Sequence, residues 1–299
     1  MALFSSVDEA RQRLAATGYL VDEEIATIVF LAGALEKPVL LEGPAGTGKT
    51  ELAKAVALGA GAGLIRLQCY EGLDEARALY EWNYRKQLLR IQAARVAQDG
   101  PVDGDGAWQS LHDDIFSEEF LLPRPLLSSI RAGRPTVLLV DEVDKADVEV
   151  EGLLLEVLSD FQVTIPELGT IKATSRPFVV LTSNGTRELS EALKRRCLHA
   201  HVGYPSPARE RAIVATRVPG IAEQLAADVV RAVRALRTLD LRKPPSVAET
   251  IDWARALRAL GAAELTDAVA TRTLGVVLKH EHDQAKAREH LRLEPIPES

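Results

Sequence analysis

The segment Gly43-Pro44-Ala45-Gly46-Thr47-Gly48-Lys49-Thr50 fits the pattern G-x-x-x-x-G-K-[ST] with no mismatch. Its spacing has a physical reason. Gly43, Gly46 and Gly48 let the backbone take positive φ and turn its N–H groups inward around phosphate oxygens. A following helix adds free N-terminal N–H groups and the positive end of its dipole. Lys49 would reach the β- and γ-phosphates, and the Thr50 hydroxyl would ligate Mg2+. The expected nucleotide-binding set is Gly43, Pro44, Ala45, Gly46, Thr47, Gly48, Lys49 and Thr50, closed by Glu51, with ATP and Mg2+ as the expected ligands.

Further along, Leu138-Leu139-Val140-Asp141-Glu142 delivers two acids at the end of an apolar run. In open α/β sheets that carboxyl edge is where ligands bind. Asp141 would hold Mg2+ through its water shell, and Glu142 is placed to orient and polarise an attacking water. Adjacent acids of this kind separate nucleotide hydrolases from small-molecule kinases, which need a pocket for a hydroxyl acceptor. Asn184 closes Leu181-Thr182-Ser183-Asn184. Its amide can bond the γ-phosphate or the water, and it is equally natural as a turn residue before Gly185. Lys194, Arg195 and Arg196 follow a predicted helix. Cations there complement a helix dipole, or one of them is an arginine finger for a neighbouring subunit. Spacing does not choose between the two.

The elements that must position these groups are legible as apolar runs. Residues 38–42, 64–68, 136–140 and 177–182 are short and rich in Val, Ile and Leu, and helical stretches separate them. That pattern predicts a parallel sheet covered on both faces. Residues 5–35 read as helix broken near Gly18, residues 73–97 as helix, and the Gly- and Asp-rich residues 98–114 as a loop. Beyond Pro205 only helical spacing recurs, through Ile221, Leu225, Val229, Val233 and Leu236.

The chain has 299 residues, 46% of them hydrophobic and 26% charged, which are globular values that exclude disorder and collagen. The net charge of −7 offers no global field for a nucleic-acid backbone or an anionic membrane. Cys69 and Cys197 are too few for a disulfide framework, and Cys69 reads as small core filler. The apolar run 25–35 is too short to span a bilayer, and the first residues lack signal-peptide order. A cytoplasmic protein is expected. His199 and His201 share a strand face and His280 and His282 a charged helix, none at a ligand spacing that predicts a transition-metal site. Tyr80, Trp82 and Tyr84 read as local surface packing.

The order GPAGTGKT, LLVDE, TSN and an Arg pair resembles the AAA+ ATPases. The finer likeness is to their MoxR branch, through Val143-Asp144-Lys145-Ala146 and Leu154-Leu155-Glu156-Val157-Leu158. Residues 161–171 then look like that branch's β-hairpin, inserted in the helix before the sensor strand. Gln68-Cys69-Tyr70-Glu71-Gly72-Leu73 and Leu79-Tyr80-Glu81-Trp82-Asn83-Tyr84 look like the group associated with maturation of molybdenum-containing carbon monoxide dehydrogenase. The resemblance implies an α/β AAA+ core over residues 1–205, with a central parallel sheet flanked by helices and a hairpin near 161–172. A smaller all-helical lid domain over 206–299 would follow. It also implies a homo-oligomeric ring, usually a hexamer, with ATP between subunits. Carried over by position, Lys49 and Thr50 bind nucleotide and Mg2+, Asp141 coordinates the metal, Glu142 activates water and Asn184 is the first sensor. Arg196 falls where the finger sits, with Arg195 adjacent.

The implied activity is chaperone-like remodelling of an apo-metalloenzyme, with a von Willebrand factor A domain partner. Where many MoxR relatives carry a lid arginine in Ser-Pro-Arg-Ala, this chain has Ser246-Val247-Ala248-Glu249, and Arg255 stands two turns on as a substitute or a solvated residue. Two other readings stay open. One is an AAA+ ATPase acting on nucleic acid, which the acidic balance opposes. The other is an ATP-dependent switch that barely turns over, which Glu142 opposes.

Overall fold

The computed structural model describes residues 3–97 and 105–291. Helices α1 (Val7–Ala16) and α2 (Glu23–Leu35) precede β1 (Val39–Glu42), α3 (Lys49–Gly59) and β2 (Gly63–Gln68). An excursion follows: α4 (Glu75–Ala78), β3 (Tyr80–Trp82), α5 (Tyr84–Ala97), α6 (Asp105–Ile115) and β4 (Leu121–Pro123). The chain returns through α7 (Pro125–Arg131), β5 (Thr136–Asp141), α8 (Val148–Asp160), β6 (Gln162–Ile165) and β7 (Gly169–Lys172). Then come β8 (Phe178–Ser183), α9 (Glu191–Lys194) and β9 (Leu198–His201). Among the described residues only helices follow: α10 (Pro207–Arg217), α11 (Glu223–Arg237), α12 (Val247–Ala259), α13 (Asp267–Val277) and α14 (Glu281–Leu291).

Among the described residues, five strands form one sheet in the order β2-β5-β8-β1-β9, and every pairing in it is parallel. Every residue of β5 and of β8 is buried. Helices cover both faces of such strands, which is why they read as unbroken apolar runs. Alternation sorts their side chains into two cores. Leu40, Leu138, Val140 and Leu181 join one cluster; Val39, Leu41, Val137, Leu139 and Val180 join the other. The register sets Gln68 beside Asp141 and Glu42 beside Ser183. The loops after β1, β5 and β8 therefore leave one sheet edge together.

Three stretches depart from expectation. Within 73–97 the chain makes a strand, β3, paired antiparallel with β4. Trp82 is turned into the core there and meets the Phe116 ring edge-on at 5.2 Å. A three-residue strand carries too little periodicity to show. Residues 98–104 of the expected loop lie outside the described residues, and α6 begins at Asp105. Leu111 and Ile115, four apart, give α6 a buried side that the surrounding Gly and Asp residues disguise. The hairpin β6–β7 follows α8 rather than interrupting it. Phe161 ends that helix at φ 49, and no helix resumes before β8. Pro177 disfavours helix at the residue before it and leaves too short a segment for another turn.

The last five helices enclose their own core, drawn from residues 214–287 around the fully buried Trp253. Glu210 is wholly buried there and held bidentately by Arg237 at 2.8 and 2.7 Å, with the Thr250 hydroxyl at 2.9 Å. Removing one partner of such a pair leaves a buried charge uncompensated, so Glu210→Ala should cost about 3–5 kcal/mol in chemical denaturation. A loss below about 1 kcal/mol would mean that water reaches the pair.

Candidate nucleotide site

The loop after β1 has the conformation its glycines allow: Gly46 and Gly48 sit at φ 71 and 99. Gly46 is also crowded, because a Cβ there would collide with the Ser246 side chain at the start of α12. The Ala248 amide donates to the Gly46 carbonyl at 3.3 Å, so the helical segment touches the loop directly. Lys49 is buried, and its ammonium donates to the Gly43 and Pro44 carbonyls at 2.7 Å each. Burial holds its pKa below the ordinary lysine value, against the opposing pull of Asp144, Asp141 and Glu142.

Asp141 is 2% exposed. Its Oδ1 accepts from the Thr50 hydroxyl at 2.9 Å and from the Thr182 hydroxyl at 2.6 Å. Its Oδ2 pairs with Arg66 at 2.5 Å. Glu142 takes up the left-handed conformation, φ 57, uncommon for a side-chain-bearing residue. Its amide donates to Thr182 Oγ1 at 2.9 Å. Its carboxylate accepts from Gln68 at 2.9 Å, Lys145 at 2.6 Å and the Asn184 amide at 3.3 Å. Thus the two acids and Asn184, expected together from sequence, are in one hydrogen-bonded cluster with Thr50.

Asp144 anchors the loop that carries Asn184. Its Oδ2 accepts from the Thr186 amide at 3.0 Å and from the Thr186 hydroxyl at 2.6 Å. Burial pushes the carboxyl up, but these bonds and those from the Asn184 and Asp144 amides outweigh it and hold the pKa below the ordinary value. Glu151 and Asp283 follow suit: burial again raises them. Bonds from Ser190 and Arg187 in one case, and from the Arg242 and Lys243 amides in the other, pull both below normal. A lowered folded pKa means stability that is present above the unfolded value and lost as pH falls through the folded one. Thermal unfolding should therefore hold level down to about pH 5 and weaken below about pH 4. Asp283→Asn should remove part of that acid slope; an unchanged slope would dismiss Asp283 as a contributor.

A cavity of about 750 Å3 opens over this cluster, inside the range of about 300–1,000 Å3 usual for ligand pockets. Its floor includes Lys49, Thr50, Asp141, Glu142 and Asn184. Apolar groups from the start of the chain and from the last helices, among them Tyr19, Leu20, Ile213 and Ile251, supply the opposite walls. The residues suit a nucleotide with Mg2+: a glycine cradle a Cβ would fill, a buried ammonium, and hard hydroxyl and carboxylate oxygens converging at Asp141.

Residues 38–197, more than half of the chain, match the AAA domain of the dynein-related subfamily. The chain belongs to that family. Its relatives include an uncharacterized protein of Staphylococcus aureus (strain bovine RF122 / ET3-1), 28% identical over 177 residues, which are 57% of each chain. Another, from Staphylococcus epidermidis, is 26% identical over 212 residues, 69% of this chain and 70% of the relative. The chain thus spans less than two thirds of the length of the first of these curated relatives. Among solved structures, the Thermotoga maritima RuvB Holliday junction branch migration motor aligns with a TM-score of 0.45 at 17% identity, over 85% of this chain and 67% of that one. A mutant of the same RuvB gives 0.46 at 18%, over 99% and 81%. Scores of this size bear on neither function nor assembly.

Arg195 and Arg196 stand apart from this AAA domain's cavity. Both are exposed, and Arg196 donates to Ser159 Oγ at 2.9 Å and to the Ala192 carbonyl at 3.2 Å. Glu51 lies on the cavity wall and accepts from Lys54 at 2.7 Å and from Arg217 of α10 at 3.0 Å. Arg255 also reaches the cavity wall, paired with Asp252 at 3.2 Å. Ser246 has no arginine beside it; it caps α12 with Glu249 instead.

Several groups went unseen in sequence: Tyr19, Arg66, Gln68, Thr182, Arg209 and Arg217. Thr182 had a usable signal, since it lies two residues before Asn184 at the polar end of an apolar run. The arginines had none, because charged residues on helices and edge strands are ordinarily solvated. Among the described residues no helix is long and apolar enough to cross a membrane.

Proposed function

We propose that this AAA domain protein is a Mg-dependent ATPase that couples hydrolysis to chaperone-like remodelling of a protein client. The observation that carries the reading is the Asp141–Glu142 pair, bonded to Thr50, Thr182 and Asn184 on the floor of a nucleotide-sized cavity. In this reading the glycine loop and Lys49 hold the phosphates, and Lys49 exchanges its bonds to the Gly43 and Pro44 carbonyls for phosphate oxygens. Thr50 and Asp141 hold Mg2+, which would neutralise charge on the transferred phosphoryl. Glu142 orients the water and accepts its proton, and Asn184 steadies both.

Arg196, with Arg195 beside it, serves the site of a neighbour in a ring, which we take to be hexameric. We divide the chain into a core over 1–205 and a helical lid over 206–299. The contact of Ser246 and Ala248 with Gly46, and of Arg217 with Glu51, supports a lid that responds to what the loop holds. Arg255 is our candidate for the missing lid arginine. The client is of the molybdenum hydroxylase, carbon monoxide dehydrogenase type, opened for insertion or repair of its metal centre, with a von Willebrand factor A domain partner. The motifs of residues 68–84 support that choice. The hairpin β6–β7 faces the client.

The test is the mass of the Glu142→Gln particle in solution with and without ATP. A discrete ring that forms or tightens with ATP is the expected result. A monomer under both conditions would overturn the shared site and leave an ATP-binding switch.

A further inference from the structure

We propose that Arg66 is a built-in counter-ion of the metal site, which must leave Asp141 before Mg2+ can bind there and so sets the Mg2+ concentration at which the site loads. The inference rests on the reading of Thr50 and Asp141 as the metal holders. Asp141 is nearly inaccessible, and its Oδ1 is already engaged by two hydroxyls. Oδ2 is the oxygen that faces a cation, and the cation there is the Arg66 guanidinium. Of the other nearby cations, Lys49 is turned to the carbonyls of its own loop and Lys145 to Glu142. A buried carboxylate without a positive partner is costly, so a chain without metal gains from a side chain that takes the metal's place.

The fold makes that side chain both well aimed and removable. Arg66 and Gln68 are two apart on β2 and share a face. The same guanidinium nitrogen that meets Asp141 also donates to Gln68 Oε1, while the Gln68 amide donates to Glu142. β2 is an edge strand, and the Arg66 side chain is 49% exposed, so it has solvent to move into. A metal that reaches Oδ2, directly or through a water of its shell, competes with it. Mg2+ demands near-octahedral oxygen ligation with waters of its own, and a guanidinium at hydrogen-bond distance repels it and fills that space.

The experiment titrates Mg2+ against a fluorescent ATP analogue on wild type, Arg66→Gln and Arg66→Lys, reading the metal-dependent change in binding. Arg66→Gln should reach half-saturation at about three- to tenfold lower Mg2+, as expected when a half-exposed charged bond stops competing. Arg66→Lys should shift the same way by less, and it carries the test if the Gln variant folds poorly. With neither metal nor nucleotide, both variants should melt below wild type, because Asp141 has lost its cation or holds it less well. A half-saturation that is unchanged or higher would overturn the inference, since Arg66 would then be neutral or helpful to metal loading. Failure of wild type to bind the analogue even with Mg2+ would instead overturn the proposed function, and this inference with it.

Discussion

Glu142→Gln should lower ATP turnover by about 10²–10⁴-fold, the usual worth of a positioned general base, while nucleotide binding persists. The backbone argues for the size of the effect. Glu142 is held in a left-handed conformation by its amide bond to Thr182, the hydroxyl that also donates to Asp141. One side chain thus ties Asp141, the proposed metal holder, to the turn that aims Glu142. Strain of this kind, of order 1–3 kcal/mol, persists where surrounding structure over-determines it, and it clusters at functional sites. Glutamine keeps the size and can still accept from Lys145 and Asn184, but it cannot take a proton from water. Phosphate release, measured beside equilibrium binding of ATP, separates the two effects. Turnover at the wild-type level would take Glu142 out of the reaction and favour the switch.

Much of this site was legible because its chemistry is local in sequence. The phosphate loop is one contiguous stretch, and the Asp141-Glu142 pair and Asn184 each follow a largely apolar strand whose burial on both faces follows from composition. What escaped is the part that depends on strand order. Nothing in residues 63–68 says that β2 lies beside β5, so the reach of Arg66 and Gln68 to Asp141 and Glu142 has no signature there. In the sheet, the pairing of Gln68 with Asp141 brings the Arg66 and Gln68 side chains onto the Asp141 and Glu142 carboxylates. The same holds for Arg217, whose partner Glu51 lies far off in the chain and is reached only because α10 folds back over α3. The β3–β4 pair was hidden for a different reason: three residues cannot display a period, and Trp82 earns its burial from Phe116 and Phe120, distant in sequence.

Arg196→Ala should lower turnover by about 10³-fold or more if its guanidinium stabilises charge on a transferred phosphoryl group. Sheet geometry decides whose phosphoryl that is. β9 runs parallel to β1, with Leu198 beside Val39 and His201 beside Glu42. Arg196 therefore precedes the start of β9, whereas Gly43 follows the end of β1. Four residues of strand, about 13 Å at roughly 3.3 Å each, lie between them, and the cation is on the wrong edge of its own sheet. It is exposed and, among the described residues, bonded to Ser159 and the Ala192 carbonyl, bonds that an incoming anion can replace. Action on a neighbour then predicts a specific mixing curve. When Arg196→Ala subunits are mixed with wild type, each variant subunit silences the intact site of the next one. Compensation is built in as well: a variant subunit flanked by wild type should hydrolyse, so Glu142→Gln/Arg196→Ala double-variant subunits should depress a wild-type ring more steeply than either single variant. Activity that falls only in proportion to the wild-type fraction in every mixture would remove the shared site, and Lys194, Arg195 and Arg196 would then be the charged end of a short helix.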